Sequence, residues 1–160
     1  MSKESFIASV QKSYSYQGSS IFLGAGVYNG EIIANAKVNL ALRMMNRHGL
    51  VTGATGSGKT RTLQLIAEQL SAAGVSVFMP DMKGDLSGMA KEGTNNDKIN
   101  ERAQALNINY APSGFPVELY SLSGKKGTQM RATVTEFGPV LLTKILELND
   151  VQSGVLMILF

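Results

Sequence analysis

The chain has 160 residues, 44% of them hydrophobic, and its 15 Lys and Arg against 12 Asp and Glu leave it near neutral at +3, a balance suited to one ordinary buried core. With no Cys and a single His, His48, it holds no disulfide framework, no thiolate metal site and no histidine-clustered metal site. The opening MSKESFIASVQKSYSYQ lacks the long apolar run of a signal peptide, and nowhere do the roughly 18 apolar residues of a membrane span occur, so a cytoplasmic protein with no membrane partner is expected.

The charge is uneven. Up to Arg61 there are 7 basic and 2 acidic residues, and from Thr62 onward 8 and 10. Such a split reads either as ordinary surface scatter or as a basic first half that meets phosphates.

Residues 1–16 are polar and Ser-rich and read as a flexible arm. Residues 17–42 hold two β-prone runs around Asn29-Gly30, a strong hairpin signal because both residues tolerate positive φ. Residues 43–160 read as a partial nucleotide-binding domain. There, MMNRHGLVTG predicts a short buried strand at Leu50 and Val51, with His48 a packed turn residue at its entrance. Leu63, Ile66, Ala67 and Leu70 share one face of a helix that Gly74 ends. VSVFMPD predicts a second strand, and strand, loop, helix and strand together make a βαβ unit of an α/β fold with a parallel sheet. Further on, a helical stretch is expected near Asn96–Leu106, a third strand at FPVELYSL, and a loop or hairpin at SGKKGTQMRATV. GPVLLTKILELN reads as a helix with Pro139 in its first turn and Leu141, Leu142, Ile145 and Leu148 as core packing, and Asp150 as the cap of VQSGVLMILF.

Between the first strand and its helix, Gly53-Ala54-Thr55-Gly56-Ser57-Gly58-Lys59-Thr60 fits G-x-x-x-x-G-K-[ST], the P-loop. Its glycines let successive backbone N–H groups turn toward a phosphate, which then sits at a helix N-terminus where unpaired N–H groups and the helix dipole favour an anion. Lys59 supplies a point charge to the β- and γ-phosphates, and the Thr60 hydroxyl is a hard oxygen ligand for Mg²⁺. The loop reads as a site for a nucleoside triphosphate.

Asp81-Met82-Lys83-Gly84 also fits the D-x-x-G of GTPases. Only about 20 residues separate Thr60 from Asp81, too few for a switch loop, and no N/T-K-x-D guanine-reading motif occurs later in the chain. The GTPase reading is therefore set aside.

The stretch NRHGLVTGATGSGKTRTLQLIAEQLSAAGVSVFMPDMKGDLSGMAKEG resembles the nucleotide-binding core of the HerA-like ATPases, in the HerA–FtsK group of DNA-pumping motors. More narrowly it resembles HerA-like helicase C-terminal domains, and the likeness runs from FLGAGVYNGEII to MRATVTEFGPVLLTKILELNDVQSGVL. The resemblance implies a RecA-like fold, ATP and Mg²⁺ as cofactors, and a hexameric homo-oligomer moving on double-stranded DNA. It assigns phosphate binding to Gly53, Gly56, Gly58, Lys59 and Thr60, with Ala54, Thr55 and Ser57 in the loop and Arg61 extending it toward the α-phosphate or base. Asp81 and Asp85 match an acidic strand end, where they either stand near Mg²⁺ or cap the turn at Lys83-Gly84. Arg131 and Glu136 match further positions: each either touches a nucleotide, Arg131 as an arginine finger, or plays a local part such as a surface salt bridge.

The family's second acidic strand is not found in this sequence, which is expected to correspond to the N-terminal part of a motor domain. Two functions are consistent with it. One is the ATP-binding part of a DNA translocase; the other is a nucleotide-binding interaction or regulatory module without turnover, which is what the isolated chain is expected to be.

Overall fold

The computed structural model describes every residue, Met1–Phe160, as an α/β chain in two units, Met1–Val117 and Glu118–Phe160. The first unit is built on an antiparallel hairpin of β1 (Ser20–Tyr28) and β2 (Glu31–Ala41). Tyr28 pairs with Glu31 across Asn29-Gly30, whose φ values of 49° and 83° are those of the tight turn the sequence predicts. Two register shifts bend the ladder, one between Phe22 and Gly24 and one between Ala25 and Gly26.

The polar arm is a helix, α1 (Lys3–Tyr14), rather than loose chain. Ser2 caps it by accepting from the Ser5 N–H, and Glu4 and Lys12 sit at the dipole ends that favour them. It is pinned to the hairpin by side chains. Phe6 lies 5.4 Å from Tyr28, centroid to centroid, Tyr28 Oη donates to the Met1 carbonyl, and Gln11 donates to that of Asn35. Arms rich in Ser read as loops because caps and loops use the same residues.

α2 (Lys59–Ala72) packs on β1, with Ala67 and Leu70 buried along with Ile21, Ile33, Ala36 and Ala41 of the strands. Its end is the predicted glycine stop. The Val75 N–H donates to Leu70 and the Gly74 N–H to Ser71, the paired bonds of a Schellman motif. The helix face is turned slightly from the predicted one, since Leu63 is exposed and Gln64 is buried. α3 (Asp97–Leu106), capped by Asn96, packs on β2.

The runs predicted as parallel strands at Leu50–Val51 and within VSVFMPD have no ladder partner here, and Leu50 and Phe78 are exposed. A parallel strand is stabilised by neighbours on both edges and cover on both faces. The apolar face of α2 that would cover these runs is instead occupied by β1. His48, expected to pack, is exposed beside them.

In the second unit, β3 (Tyr120–Ser121) and β4 (Thr128–Gln129) form a short parallel pair, so only two residues of FPVELYSL are laddered. α4 (Val134–Ile145) breaks at Gly138 (φ 66°, ψ 167°), so that Pro139 opens its second part, the position where proline is tolerated. α5 (Asp150–Leu159) is capped by Asn149 rather than Asp150, in a reciprocal capping box with Gln152. α4 and α5 pack together, but Leu141 and Ile145 are exposed and the predicted core stripe is only half-buried at Leu142 and Leu148. Two short helices cover one face of each other and no more. No helix of the chain is long and apolar enough to cross a membrane.

Candidate phosphate-binding site

The loop Gly53–Gly58 leads straight into the first turn of α2, with Lys59 and Thr60 as the first two helical residues. Gly58, at the N-cap, has φ 94° and ψ 14°, and Gly56 has φ 81°. A side chain is strained in that region, so the loop's turn depends on glycine at both. At Gly53 the requirement is closeness: an added Cβ would stand 2.5 Å from the Ser57 hydroxyl.

No side chain caps this end of α2, whose first intrahelical bond from a residue beyond the opening turn runs from the Thr62 N–H to the Gly58 carbonyl at 2.9 Å. The N–H groups of Lys59, Thr60 and Arg61 are therefore left for an external acceptor, at the positive end of the helix dipole. The Lys59 ammonium reaches back over the loop and donates to the Ala54 carbonyl at 2.7 Å, while the Ser57 N–H donates to that same carbonyl at 3.2 Å. Ala54 thus anchors both the chord of the loop and its cation, and residues 53–57 face solvent. A glycine-dependent turn with free backbone donors and one lysine fits a phosphate group.

Arg61 points the neighbourhood another way. Its guanidinium donates to Gln64 Oε1 at 2.9 Å, and Gln64 Nε2 in turn donates to the Asp85 carbonyl at 3.0 Å. This buried amide ties α2 to the acidic segment beyond Pro80. The pattern of apolar residues gave no hint of it, because a buried, fully bonded glutamine leaves no trace in periodicity. Arg61 and Gln64 also line an open cavity of about 400 Å³ with Glu68, Lys91, Tyr110 and Phe115. Burial there pushes the Glu68 carboxyl above its ordinary range, partly offset by Arg61.

Asp81 takes the turn-capping role. Its carboxylate accepts from the N–H groups of Lys83 at 3.2 Å, Gly84 at 2.7 Å and Leu86 at 3.0 Å. These bonds, led by that from Leu86, hold its pKa below the ordinary aspartate value. Asp85 is exposed and enters the network through its backbone carbonyl. Nowhere do three or more His, Asp or Glu side chains gather as a metal-binding group.

Arg131 and Glu136 belong to the second unit. The Glu136 carboxylate accepts from the Thr133 N–H and hydroxyl at 2.9 and 3.0 Å, as the return half of the α4 capping box, and both bonds lower its pKa. Arg131 donates to Gln129 Oε1 at 3.0 Å.

The fold and the loop define a class, an α/β chain with a P-loop-type sequence at the free N-terminus of a helix. Comparison with known proteins narrows it. Residues 28–160 match the family described as helicase HerA-like C-terminal, and the chain belongs to that family. Among curated proteins it is similar to the DNA double-strand break repair helicase HerA of Sulfolobus acidocaldarius, 32% identical over 68 residues. That match covers 42% of this chain and 14% of the relative's length. No solved structure matches the chain.

Proposed function

We propose that this chain is the ATP-binding part of a HerA-type DNA helicase or translocase, with Gly53–Thr60 holding the triphosphate. The observation that carries the reading is the uncapped N-terminus of α2 behind a glycine-dependent loop, with the Lys59 ammonium lying across it. Lys59 would exchange its bond to Ala54 for one to the phosphates, and the free N–H groups of Lys59, Thr60 and Arg61 would donate to the remaining phosphate oxygens. The Thr60 hydroxyl would contribute one oxygen to Mg²⁺, the rest coming from phosphates and water. Mg²⁺, when bound, neutralises charge on the phosphates. The runs at Leu50–Val51 and within VSVFMPD would be strands of the RecA-like parallel sheet that membership of the family implies. Double-stranded DNA as partner and a hexameric assembly are likewise part of the proposal, and they rest on the family.

A second reading, nucleotide binding without turnover by this chain alone, is favoured by Asp81. Its two carboxylate oxygens are engaged by three backbone N–H groups, so it is poorly placed to orient an attacking water. For Asp85, Arg131 and Glu136 a role toward nucleotide rests on resemblance alone.

Calorimetric titration of the chain with ATP and Mg²⁺ tests the binding claim. Lys59→Ala is expected to weaken affinity about 10- to 150-fold, the worth of a charge-assisted hydrogen bond of roughly 1.5–3 kcal/mol. Equal affinity in the two proteins rejects the site. Phosphate release in the same samples, with and without duplex DNA, separates the motor from the module: the module reading expects a rate no greater than that of Lys59→Ala.

A further inference from the structure

The loop between β3 and β4 carries a second concentration of phosphate-binding chemistry that lies outside the P-loop. From Leu119 to Thr135 the chain has three cations, Lys125, Lys126 and Arg131, and no carboxylate. All three are exposed, and none is in an ion pair, the one such pair in the structure being Lys3–Glu31. The two acids that bound this stretch are engaged locally: Glu118 accepts from the Thr128 hydroxyl at 2.7 Å, and Glu136 from the Thr133 N–H and hydroxyl. Exposed cations without an ion-pair partner are available to an external anion.

The cations stand on a fixed base. Thr128 N–H donates to the Leu119 carbonyl at 2.7 Å and Met130 N–H to that of Ser121 at 2.9 Å, which clamps both ends of the turn. Gly127 has φ 74°, and a Cβ there would collide with the Leu119 carbonyl, so the backbone is held close at that point. Gln129 positions the guanidinium of Arg131, and the same amide lies against Gly124 at the tip of the turn. Ser121 and Ser123 share a hydroxyl hydrogen bond at 3.2 Å, and the Ser123 hydroxyl also accepts from the Lys125 N–H at 3.4 Å. Lysines, an arginine, hydroxyls and a glycine backbone are the groups that contact nucleic-acid phosphates without reading sequence.

We propose that the turn Ser123–Gly127, with Arg131, docks the phosphodiester backbone of duplex DNA. The choice of an anionic phosphate chain comes from the charges and their fixed base; the choice of DNA rests on the helicase or translocase function proposed for the chain. It places the DNA-facing charge in the half of the sequence that is acidic overall, not in the basic first half. An anionic lipid surface is the competing partner, because Leu122 is exposed beside the lysines.

The test is fluorescence anisotropy of a short labelled duplex with the full chain and with Lys125→Ala/Lys126→Ala, over a series of salt concentrations and without nucleotide. The lysines are exposed, so unchanged circular dichroism and melting are expected of the variant. Its duplex affinity at low salt should fall at least about tenfold, and the slope of log affinity against log salt should shrink by about two, one for each lost phosphate contact. Arg131→Gln should take roughly one further contact. Equal affinity and slope in variant and parent overturn the proposal, as does a parent chain that fails to bind duplex at low salt. Lysine-dependent binding to phosphatidylserine vesicles with lysine-independent duplex binding assigns the surface to lipid and overturns it too. The ATP-induced melting shift, measured alongside, belongs to the P-loop and should survive in the lysine variant. Its absence from the parent, with lysine-dependent duplex binding intact, would reject the nucleotide site and leave this one standing.

Discussion

Two loops of this chain have nearly the same composition and opposite designs. Apart from Ala54, GATGSGKT and SGKKGT are both made of glycine, lysine and small hydroxyl residues. The first ends on a helix, so its free N–H groups gather at one dipole end and its lysine folds inward onto the Ala54 carbonyl. The second joins two short parallel strands, its N–H groups are not aligned by any helix, and its lysines extend into solvent without an acidic partner. Composition alone says that a loop favours anions. The element at the loop's C-terminal end, an apolar-periodic helix or a short strand, decides whether free N–H groups converge at one point or side-chain charges stand apart on the surface.

The contrast can be broken most directly by the same substitution in both loops. Gly127→Ala combines positive φ with a collision against the Leu119 carbonyl and should cost about 3 kcal/mol, while Gly56→Ala meets open space and should cost about 1 kcal/mol from backbone strain alone. Urea midpoints give both values. Equal losses would mean that the second turn is not clamped and that its lysines lack a fixed base.

Much of the first loop's surroundings was legible in the sequence, because the signals were local. Asn29-Gly30 demands a tight turn, Gly74 ends a helix, and G-x-x-x-x-G-K-[ST] runs into the helix it needs. Pairing between distant segments was not. Leu50–Val51 and VSVFMPD have strand-like composition, but a ladder depends on partners that composition does not name, and here the face of α2 goes to β1. Gln64 and Gln69 were invisible for a related reason: each is a polar residue on a helix, ordinary until its amide finds a backbone across the fold. The helical state of residues 3–14 was missed because Ser2 caps a helix with the same chemistry that makes Ser common in loops.

Gln69 sharpens the contrast at the next level of effect. Its amide accepts from the Phe22 N–H at 2.7 Å and donates to the Phe22 carbonyl at 2.6 Å, as a neighbouring strand would. That pair of bonds fixes α2, and hence the first loop, to the hairpin. Gln69→Leu leaves both backbone groups of Phe22 unpaired and should cost roughly 1–3 kcal/mol. Chemical denaturation measures it. A neutral substitution would show that the first loop's helix is held by Ala67 and Leu70 alone.

The smallest expected effect is one of pH, and it also divides the two loops. Beside the first loop, Asp81 is held below its ordinary pKa of 3.8 by the N–H groups of Leu86, Gly84 and Lys83. A depressed carboxylate favours the folded state fully at pH above the unfolded value, and the advantage fades as pH falls through 3.8 toward the folded pKa. Glu68 has the opposite sign: burial raises its pKa above 4.5, so its penalty is absent at low pH and grows as pH rises through 4.5. The stretch from Leu119 to Thr135 holds no histidine and no carboxylate, so duplex binding there should respond to salt and not to pH between about 5 and 8. Melting curves between about pH 7 and pH 3 are expected to show a smaller acid loss for Asp81→Asn than for the parent, since the variant has no charge to lose in that range. A parent and variant that lose stability in parallel would mean that the 81–86 turn is not held by the charged carboxylate, and would free Asp81 for the role near Mg²⁺ that its present bonds deny it.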